Sequence, residues 1–89
     1  MSTIIPMAVK ETVWNNYFND SEIGKCCICR CKITRSRHHC GHIISKYNGG
    51  PTILENLIPM CSKCNQSINR NNLLDFMERF GFNIPSSLK

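Results

Sequence analysis

The sequence has no apolar run that approaches the ~18 residues of a membrane-spanning helix. Its first residues do not form a charged region followed by an apolar stretch, so we expect no signal peptide. Proline and glycine are sparse, at 4 and 5 residues, and no internal repeat or low-complexity segment is present. Hydrophobic residues make up 42% of the 89 positions, too many for a disordered tail. We therefore expect one small domain in a reducing compartment of a cell, the nucleus or the cytoplasm, without a membrane partner.

Seven cysteines are present, and in a reducing compartment cysteines are more often metal ligands than disulfide partners. Cys26 and Cys29 form one C-x-x-C pair, and Cys61 and Cys64 form a second. A two-residue gap lets a tight turn point two sulfurs at one ion, so the two pairs predict a tetrahedral structural Zn²⁺ site. The alternative is a set of buried free thiols. Because 31 residues separate the pairs, a substructure must be inserted between them.

Acidic residues are few, at 6 against 11 basic ones, and the formal net charge is +5. No acidic residue occurs from position 25 to position 46, and the basic residues there are Lys25, Arg30, Lys32, Arg35, Arg37 and Lys46. A local basic field of this kind suits a polyanion, and the predicted nucleic-acid contacts are Arg35, Arg37 and Lys46. The alternative is a solvated loop around a metal knuckle.

Helical spacing occurs near both ends of the chain. Apolar residues recur at i, i+4 and i+8 after Pro6, which predicts a helix from about Met7 to about Asn19 that covers a small core. We expect Gly24 to close the turn that follows. Similar spacing over positions 73–80 predicts a C-terminal helix, capped at Gly81.

The middle of the chain is predicted to hold two short strands and a helix. Residues 25–37 show no periodicity, so a knuckle and a loop are expected there. A strand is predicted within 38–45, and a second at Leu57 and Ile58, ended by Pro59. A helix is predicted over 62–69.

Four motifs occur in order between and around the two cysteine pairs. They are His38-His39-Cys40-Gly41-His42-Ile43-Ile44, Asn48-Gly49-Gly50, Glu55-Asn56-Leu57-Ile58-Pro59-Met60-Cys61, and Cys64-Asn65. Over residues 25–70 this pattern resembles the HNH endonuclease family. In that family a strand ends in His, a Gly-Gly loop follows, and Asn-Leu precedes a C-x-x-C pair with His or Asn after it. The chain is especially similar to small stand-alone HNH proteins of large DNA viruses.

The resemblance implies a fold class, an organisation and an activity. The fold would be a small α+β, zinc-bound ββα-metal (HNH) fold with flanking helices, in which two antiparallel strands and a helix hold a catalytic divalent cation. Residues 1–24 would form an N-terminal helix packed on the core, 25–70 the zinc-stapled core, and 71–89 a C-terminal helix and tail, in one domain. The implied activity is hydrolysis of DNA phosphodiester bonds. We expect double-stranded DNA as substrate, and a protein partner to supply specificity.

The resemblance also implies roles for particular residues. His42 would be the general base, because imidazole titrates near neutral pH. Asn56 would hold the loop that positions His42, through hydrogen bonds to the backbone. Asn65 would bind the catalytic cation, Mg²⁺ or Mn²⁺, through its amide oxygen. Asn69 lies one helical turn further and is a second candidate ligand. The alternatives are a core histidine for His42, an ordinary loop residue for Asn56 and a helix N-cap for Asn65.

One position departs from the family pattern. The residue directly before the base is usually an Asp or His that binds the cation, and here it is Gly41. His39 or Cys40 could substitute, but we expect neither side chain to point to the same side as Gly41 if this segment is a strand. The departure favours a second function, a catalytically weak or inactive zinc module that binds nucleic acid or acts as a structural part of a complex or virus particle.

Overall fold

The computed structural model describes residues 5–88, which form a mixed α+β fold of three α-helices, three short 3-10 helices and two separate pairs of antiparallel strands. The predicted fold class is thereby confirmed. The elements in chain order are α1 (Met7–Phe18), β1 (Ile23–Lys25), β2 (Lys32–Thr34), β3 (His39–His42), β4 (Leu57–Met60), α2 (Ser62–Ile68) and α3 (Leu73–Arg79). None of the helices in this part of the chain is long and apolar enough to cross a bilayer.

Strands β1 and β2 flank the first cysteine pair, where the sequence predicted only a knuckle and a loop. Gly24 pairs with Ile33 in the middle of this ladder, so the prediction that Gly24 closes a turn is wrong. A β-carbon at Gly24 would lie 2.7 Å from the Phe18 ring, which explains the glycine by close packing. Three-residue strands contain too few positions to show an alternating pattern.

Strands β3 and β4 pair antiparallel, with Gly41 opposite Ile58 and His42 opposite Leu57. The strand predicted within 38–45 is shorter than expected. Pro59 does not end β4 as predicted but lies within it, opposite Cys40. A two-stranded sheet leaves each strand one unpaired edge, and proline is tolerated where its nitrogen faces that edge.

The helices follow the predicted pattern closely. Pro6 directly precedes α1, and Asn19 ends it with φ 56°. The turn after α3 contains Gly81 at φ 80°, the left-handed conformation expected of a glycine at a helix C-terminus. Helix α2 ends at Ile68, so Asn69 is its C-cap with φ 50° rather than a residue of the helical face.

The core lies where α1, the knuckle, β4 and the two C-terminal helices meet. Trp14 of α1 is fully buried, and its indole N–H donates to the Ser21 carbonyl at 2.7 Å. Leu73 and Met77 of α3 belong to the same buried cluster. The helices at both ends therefore pack on the segment that carries the two cysteine pairs.

Candidate active site and metal centre

The two cysteine pairs come together as one four-sulfur cluster. Cys26 and Cys29 lie in the knuckle after β1, whereas Cys61 and Cys64 lie at the junction of β4 and α2. All four sulfurs lie within 4.8 Å of one another, and Sγ of Cys29 is 3.7 Å from Sγ of Cys61. With zinc–sulfur bonds of about 2.3 Å, tetrahedral geometry needs sulfur–sulfur distances of about 3.8 Å. The cluster therefore fits a tetrahedral metal ion. Within residues 5–88 it is the one group of three or more His, Cys, Asp or Glu side chains arranged to hold an ion.

Backbone hydrogen bonds shape both knuckles. The N–H of Cys26 donates to the Cys31 carbonyl at 2.9 Å, and the N–H of Arg30 donates to the Cys26 carbonyl at 3.1 Å. On the other side, Sγ of Cys61 accepts from the Cys64 N–H at 3.4 Å and caps helix α2. Because Cys61 is this N-cap, the alternative that Asn65 caps the helix is wrong.

The pKa values of the ligands favour metal binding unevenly. A hydrogen bond from the Cys27 thiol lowers the pKa of Cys26 to about 3, with further help from backbone donors. A backbone hydrogen bond from Cys31 lowers the pKa of Cys29. Burial raises the pKa of Cys64, so deprotonation of that thiol depends on the cation itself. Cys27 is a buried neighbour of the cluster. Its thiol donates a hydrogen bond to Cys26, and this bond raises the pKa of Cys27, so Cys27 keeps its proton.

Asn56 connects the start of β4 to the loop after β3. It is buried, with 6% of its surface exposed. Its Oδ1 accepts from the Ile44 N–H at 2.8 Å, and its Nδ2 donates to the carbonyls of Ile44 at 3.0 Å and Pro51 at 2.8 Å. Gly50 fits beneath this network, because a β-carbon there would collide with the Ile44 carbonyl oxygen. Asn56 thus makes the backbone bonds that the sequence analysis assigned to it.

His42 is half-buried at the end of β3 and faces an open cleft. Its Nε2 lies 3.0 Å from Oγ1 of Thr52, a contact that orients the ring and that no sequence signal indicated. When the hydroxyl accepts from Nε2–H, Nδ1 is left as the basic atom. Burial, and secondarily the charge of Lys46, lowers the pKa of His42. A lower pKa favours the neutral ring, the form that a general base needs.

Asn65 lies on the exposed side of α2, next to β3. Its amide nitrogen is 3.5 Å from Nδ1 of His39, and its Oδ1 would be 3.3 Å from a β-carbon at Gly41. His39 and Gly41 therefore share one side of β3, as side chains two positions apart in a strand do. The expectation that His39 points away from Gly41 is wrong. His39 is the residue that the sequence analysis underrated.

Met60 occupies the space that a side chain at position 41 would need. A β-carbon at Gly41 would collide with Cε and Sδ of Met60, whose side chain is fully buried. The sheet register places Met60 opposite His39, diagonal to Gly41. The thioether thus fills the position from which an Asp or His would reach toward Asn65.

The cleft in front of these residues has a volume of about 690 Å³. Its lining includes His39, His42, Lys10, Lys46, Tyr47, Asn65, Asn69 and Arg70. None of the described residues that line it is acidic. Basic and neutral donors without carboxylates suit an anionic ligand such as a phosphodiester.

The residues predicted to contact nucleic acid lie in three different places. Lys46 lines the cleft. Arg37 lines a neighbouring hollow of about 400 Å³, which shares His39 with the cleft. Arg35 is held against α1, because its guanidinium donates to Oδ1 of Asn15 at 2.8 Å and to the Asn19 carbonyl at 3.1 Å. Arg35 thus has a structural contact that its sequence position did not reveal.

Comparison with known proteins agrees with this geometry. The HNH endonuclease family model matches residues 26–71, more than half of the chain. The match begins at the first cysteine of the four-sulfur cluster and includes β3, β4 and α2. Neither the curated proteins nor the solved structures give a match. On the family match the chain belongs to the HNH endonuclease family.

Proposed function

We propose that this protein is a metal-dependent endonuclease that hydrolyses DNA phosphodiester bonds, with His42 as the general base. The observation that carries the proposal is that His42, His39 and Asn65 line the same basic cleft. Burial lowers the pKa of His42, which favours its neutral form. In the proposed reaction its ring takes the proton from the water that attacks phosphorus.

The residues around His42 position it and attract the substrate. Asn56 fixes the loop that follows β3, and Thr52 orients the imidazole. Lys10 and Lys46 supply positive charge to the cleft, which raises the local concentration of a phosphodiester. A preorganised ring and a basic cleft are what an in-line attack by water requires from the protein.

A cation site at Asn65 fits the residues present, although weakly. An amide oxygen and the imidazole of His39 are two neutral donors, and a divalent cation held there would stabilise negative charge on the phosphate oxygens. The hard ion Mg²⁺ prefers oxygen ligands, whereas imidazole suits transition-metal ions. We therefore expect these two ligands to bind Mg²⁺ weakly and to bind Mn²⁺, Co²⁺ or Ni²⁺ more tightly.

At the four-cysteine cluster we propose Zn²⁺ as the structural ion. Zinc favours tetrahedral thiolate sites, and the sulfur–sulfur distances agree with that geometry. Four thiolates also require a compartment that keeps cysteine reduced, so we propose an intracellular location.

The test is nicking of supercoiled plasmid by the zinc-loaded chain, with Mg²⁺, Mn²⁺, Co²⁺ or Ni²⁺ titrated separately. The wild type should convert plasmid to nicked circles, and His42→Ala should lower the rate at least 100-fold. Gln66→Ala replaces an exposed residue of α2 and is the control for substitution in this protein. It should nick plasmid as the wild type does. Equal nicking by wild type and His42→Ala would mean that His42 is not the base.

A second function is favoured by the packing at Gly41. Since Met60 fills that space and no described residue lining the cleft is acidic, the cleft could bind DNA without cleaving it. In that case the protein is a zinc-stabilised nucleic-acid-binding module. DNA binding that is equal in wild type and His42→Ala, with no nicking under any of the four ions, would support this second function.

A further inference from the structure

An aromatic ring and a guanidinium are stacked at the rim of the cleft. Cζ of Arg70 lies 4.8 Å from the centroid of the Tyr47 ring, within cation–π distance. Tyr47 nevertheless keeps 70% of its surface exposed. One face of the ring is therefore covered by a cation, and most of the remaining ring faces solvent.

The wall that carries this stack is held by a polar network. The side-chain amide of Asn48 donates to Oγ of Ser45 at 2.8 Å, to the Arg70 carbonyl at 3.2 Å and to Oδ1 of Asn72 at 3.1 Å. Oδ1 of Asn72 also accepts from the Ser45 N–H at 2.9 Å. These bonds join the turn that carries Tyr47 to the turn that carries Arg70, so the two side chains start from a fixed backbone.

The stack shares the cleft with the candidate catalytic residues. Tyr47, Arg70, His42 and Asn65 line the same cavity. Tyr47 buries little apolar surface when the chain folds, since most of the ring remains in water. A flat aromatic surface beside a cation and a phosphodiester site is the arrangement by which proteins bind single strands, through a stacked base and a paired phosphate.

We propose that Tyr47 and Arg70 form a binding site for one unpaired nucleotide next to the phosphodiester that His42 faces. The base stacks on the exposed part of the Tyr47 ring, and Arg70 contacts the phosphate of the same strand. The proposal rests on the proposed DNA endonuclease function, and it assigns a substrate class: DNA with an unpaired base at the cut, either a single strand or a flap. In an intact duplex both faces of each base are already stacked on neighbours, so the Tyr47 ring has no base to accept.

The test is DNA binding by the zinc-loaded full chain without added Mg²⁺, Mn²⁺, Co²⁺ or Ni²⁺, so that binding is measured apart from cleavage. The probes are a fluorescein-labelled 20-nucleotide single strand, the matching duplex, and the same duplex with a single-stranded flap. Tyr47→Leu should weaken binding to the single strand and the flap on the order of tenfold, and binding to the duplex less than twofold. Arg70→Ala should weaken binding to all three, with the larger loss on the unpaired substrates.

Tyr47→Phe is the matched control, because it keeps the ring and removes only the hydroxyl. It should bind every probe as the wild type does. A 2-aminopurine base in the single strand should be quenched by wild type and Tyr47→Phe and not by Tyr47→Leu. Zinc content and melting temperature should be unchanged in all three variants, since the ring is exposed.

The outcomes separate this inference from the proposed function. Equal affinity of Tyr47→Leu and wild type for the single strand, or equal losses on single strand and duplex, would overturn the nucleotide site while plasmid nicking could still occur. Loss of stacking in Tyr47→Leu together with no cleavage of plasmid, single strand or flap by wild type under any of the four ions would leave the nucleotide site standing and remove the endonuclease function.

Discussion

The side chain of Asn56 is hydrogen-bonded to both backbone groups of Ile44. Oδ1 accepts from the Ile44 N–H at 2.8 Å, and Nδ2 donates to the Ile44 carbonyl at 3.0 Å. Ile44 lies two residues after His42, so this paired contact fixes the chain directly beyond the candidate base. A side-chain amide here replaces the ladder bonds that a longer β3 would have supplied.

Removal of this amide should therefore affect both stability and cleavage. Asn56→Ala leaves the Ile44 N–H and two carbonyls without their partner, at about 1–3 kcal/mol for each unsatisfied buried group. We expect the free energy of unfolding to fall by at least about 2 kcal/mol and plasmid nicking to be lost. Urea denaturation and the nicking assay measure the two effects. Asn16→Ala, at an exposed position of α1, is the control, and a similar loss there would show that the effect is not specific to Asn56.

The zinc ligands should be distinguishable from the other cysteines by substitution. A structural zinc ion contributes on the order of 10 kcal/mol of apparent binding free energy. Serine at any of the four ligands should therefore unfold the chain or abolish zinc binding, as measured by metal content and circular dichroism. The proposed ligands are Cys26, Cys29, Cys61 and Cys64.

Two cysteines outside the cluster serve as controls for that experiment. Cys31→Ser changes an exposed residue and should leave zinc content at one per chain. Cys27→Ser keeps a hydrogen-bond donor beside Cys26 and should have nearly as small an effect on zinc content. Cys27→Ala removes that donor and should have a larger effect. A wild-type chain that folds without zinc would contradict the structural role of the ion.

The rate of nicking should fall at a lower pH than an ordinary histidine base would give. A general base works when neutral, and the neutral fraction falls only as pH drops through the pKa of the folded state. Because burial lowers the pKa of His42 below its usual 6.5, the half-maximal rate should lie below pH 6.5. Lys46→Gln removes a nearby cation and should move the fall to higher pH, while Lys63→Gln, an exposed change on α2, should not. A half-maximal rate well above pH 6.5 in wild type would contradict this assignment.

The packing of Met60 changes what should be expected from restoring a cation ligand at position 41. Gly41→Asp alone should destabilise the fold by about 1–3 kcal/mol, since the new side chain overlaps Met60. Gly41→Asp with Met60→Ala should be less destabilised than the sum of the two single variants, and thermal melting measures the difference. The double variant should need less Mg²⁺ for nicking, because a carboxylate then lies beside Asn65. If its Mg²⁺ dependence equals that of wild type, Asn65 does not mark the cation site.

DNA affinity should fall steeply with salt, and the three predicted basic contacts should contribute differently. Each phosphate contact adds about 0.9 to the slope of log affinity against log salt. Lys46→Ala and Arg37→Ala should each lower that slope by about one, as measured by fluorescence anisotropy between 50 and 200 mM salt. Arg35→Ala should leave the slope unchanged and lower the melting temperature instead, because Arg35 bonds to α1. Equal slopes in wild type and Lys46→Ala would mean that Lys46 does not contact phosphate.

The features that depend on local spacing could be predicted from the sequence. The C-x-x-C pairs are local turns, and apolar periodicity located α1 and α3 to within a residue or so. The family resemblance also anticipated that Asn56 would bond to the backbone of the loop after His42. In each case the information lies within a few residues or in a fixed separation along the chain.

The features that depend on which side chains meet across the fold could not be predicted. Strands β1 and β2 are too short to show alternation. Met60 fills the space of a side chain at position 41 because of the register of β3 on β4. The Tyr47–Arg70 stack follows from hydrogen bonds between two turns. His39 is a different case, since simple alternation along β3 places it on the side of Gly41 and could have identified it.

With an ion bound, the four-cysteine cluster would also make the chain a closed ring. Its two pairs would be joined through the ion at one end, and they are joined through the polypeptide between Cys29 and Cys61 at the other. That polypeptide carries His42 and Asn56. Residues 51–55 within the ring are exposed. A proteolytic cut there would open the backbone without separating the two fragments, since the metal would still join them. The protein should therefore survive as a nicked pair that falls apart only when a chelator removes the ion.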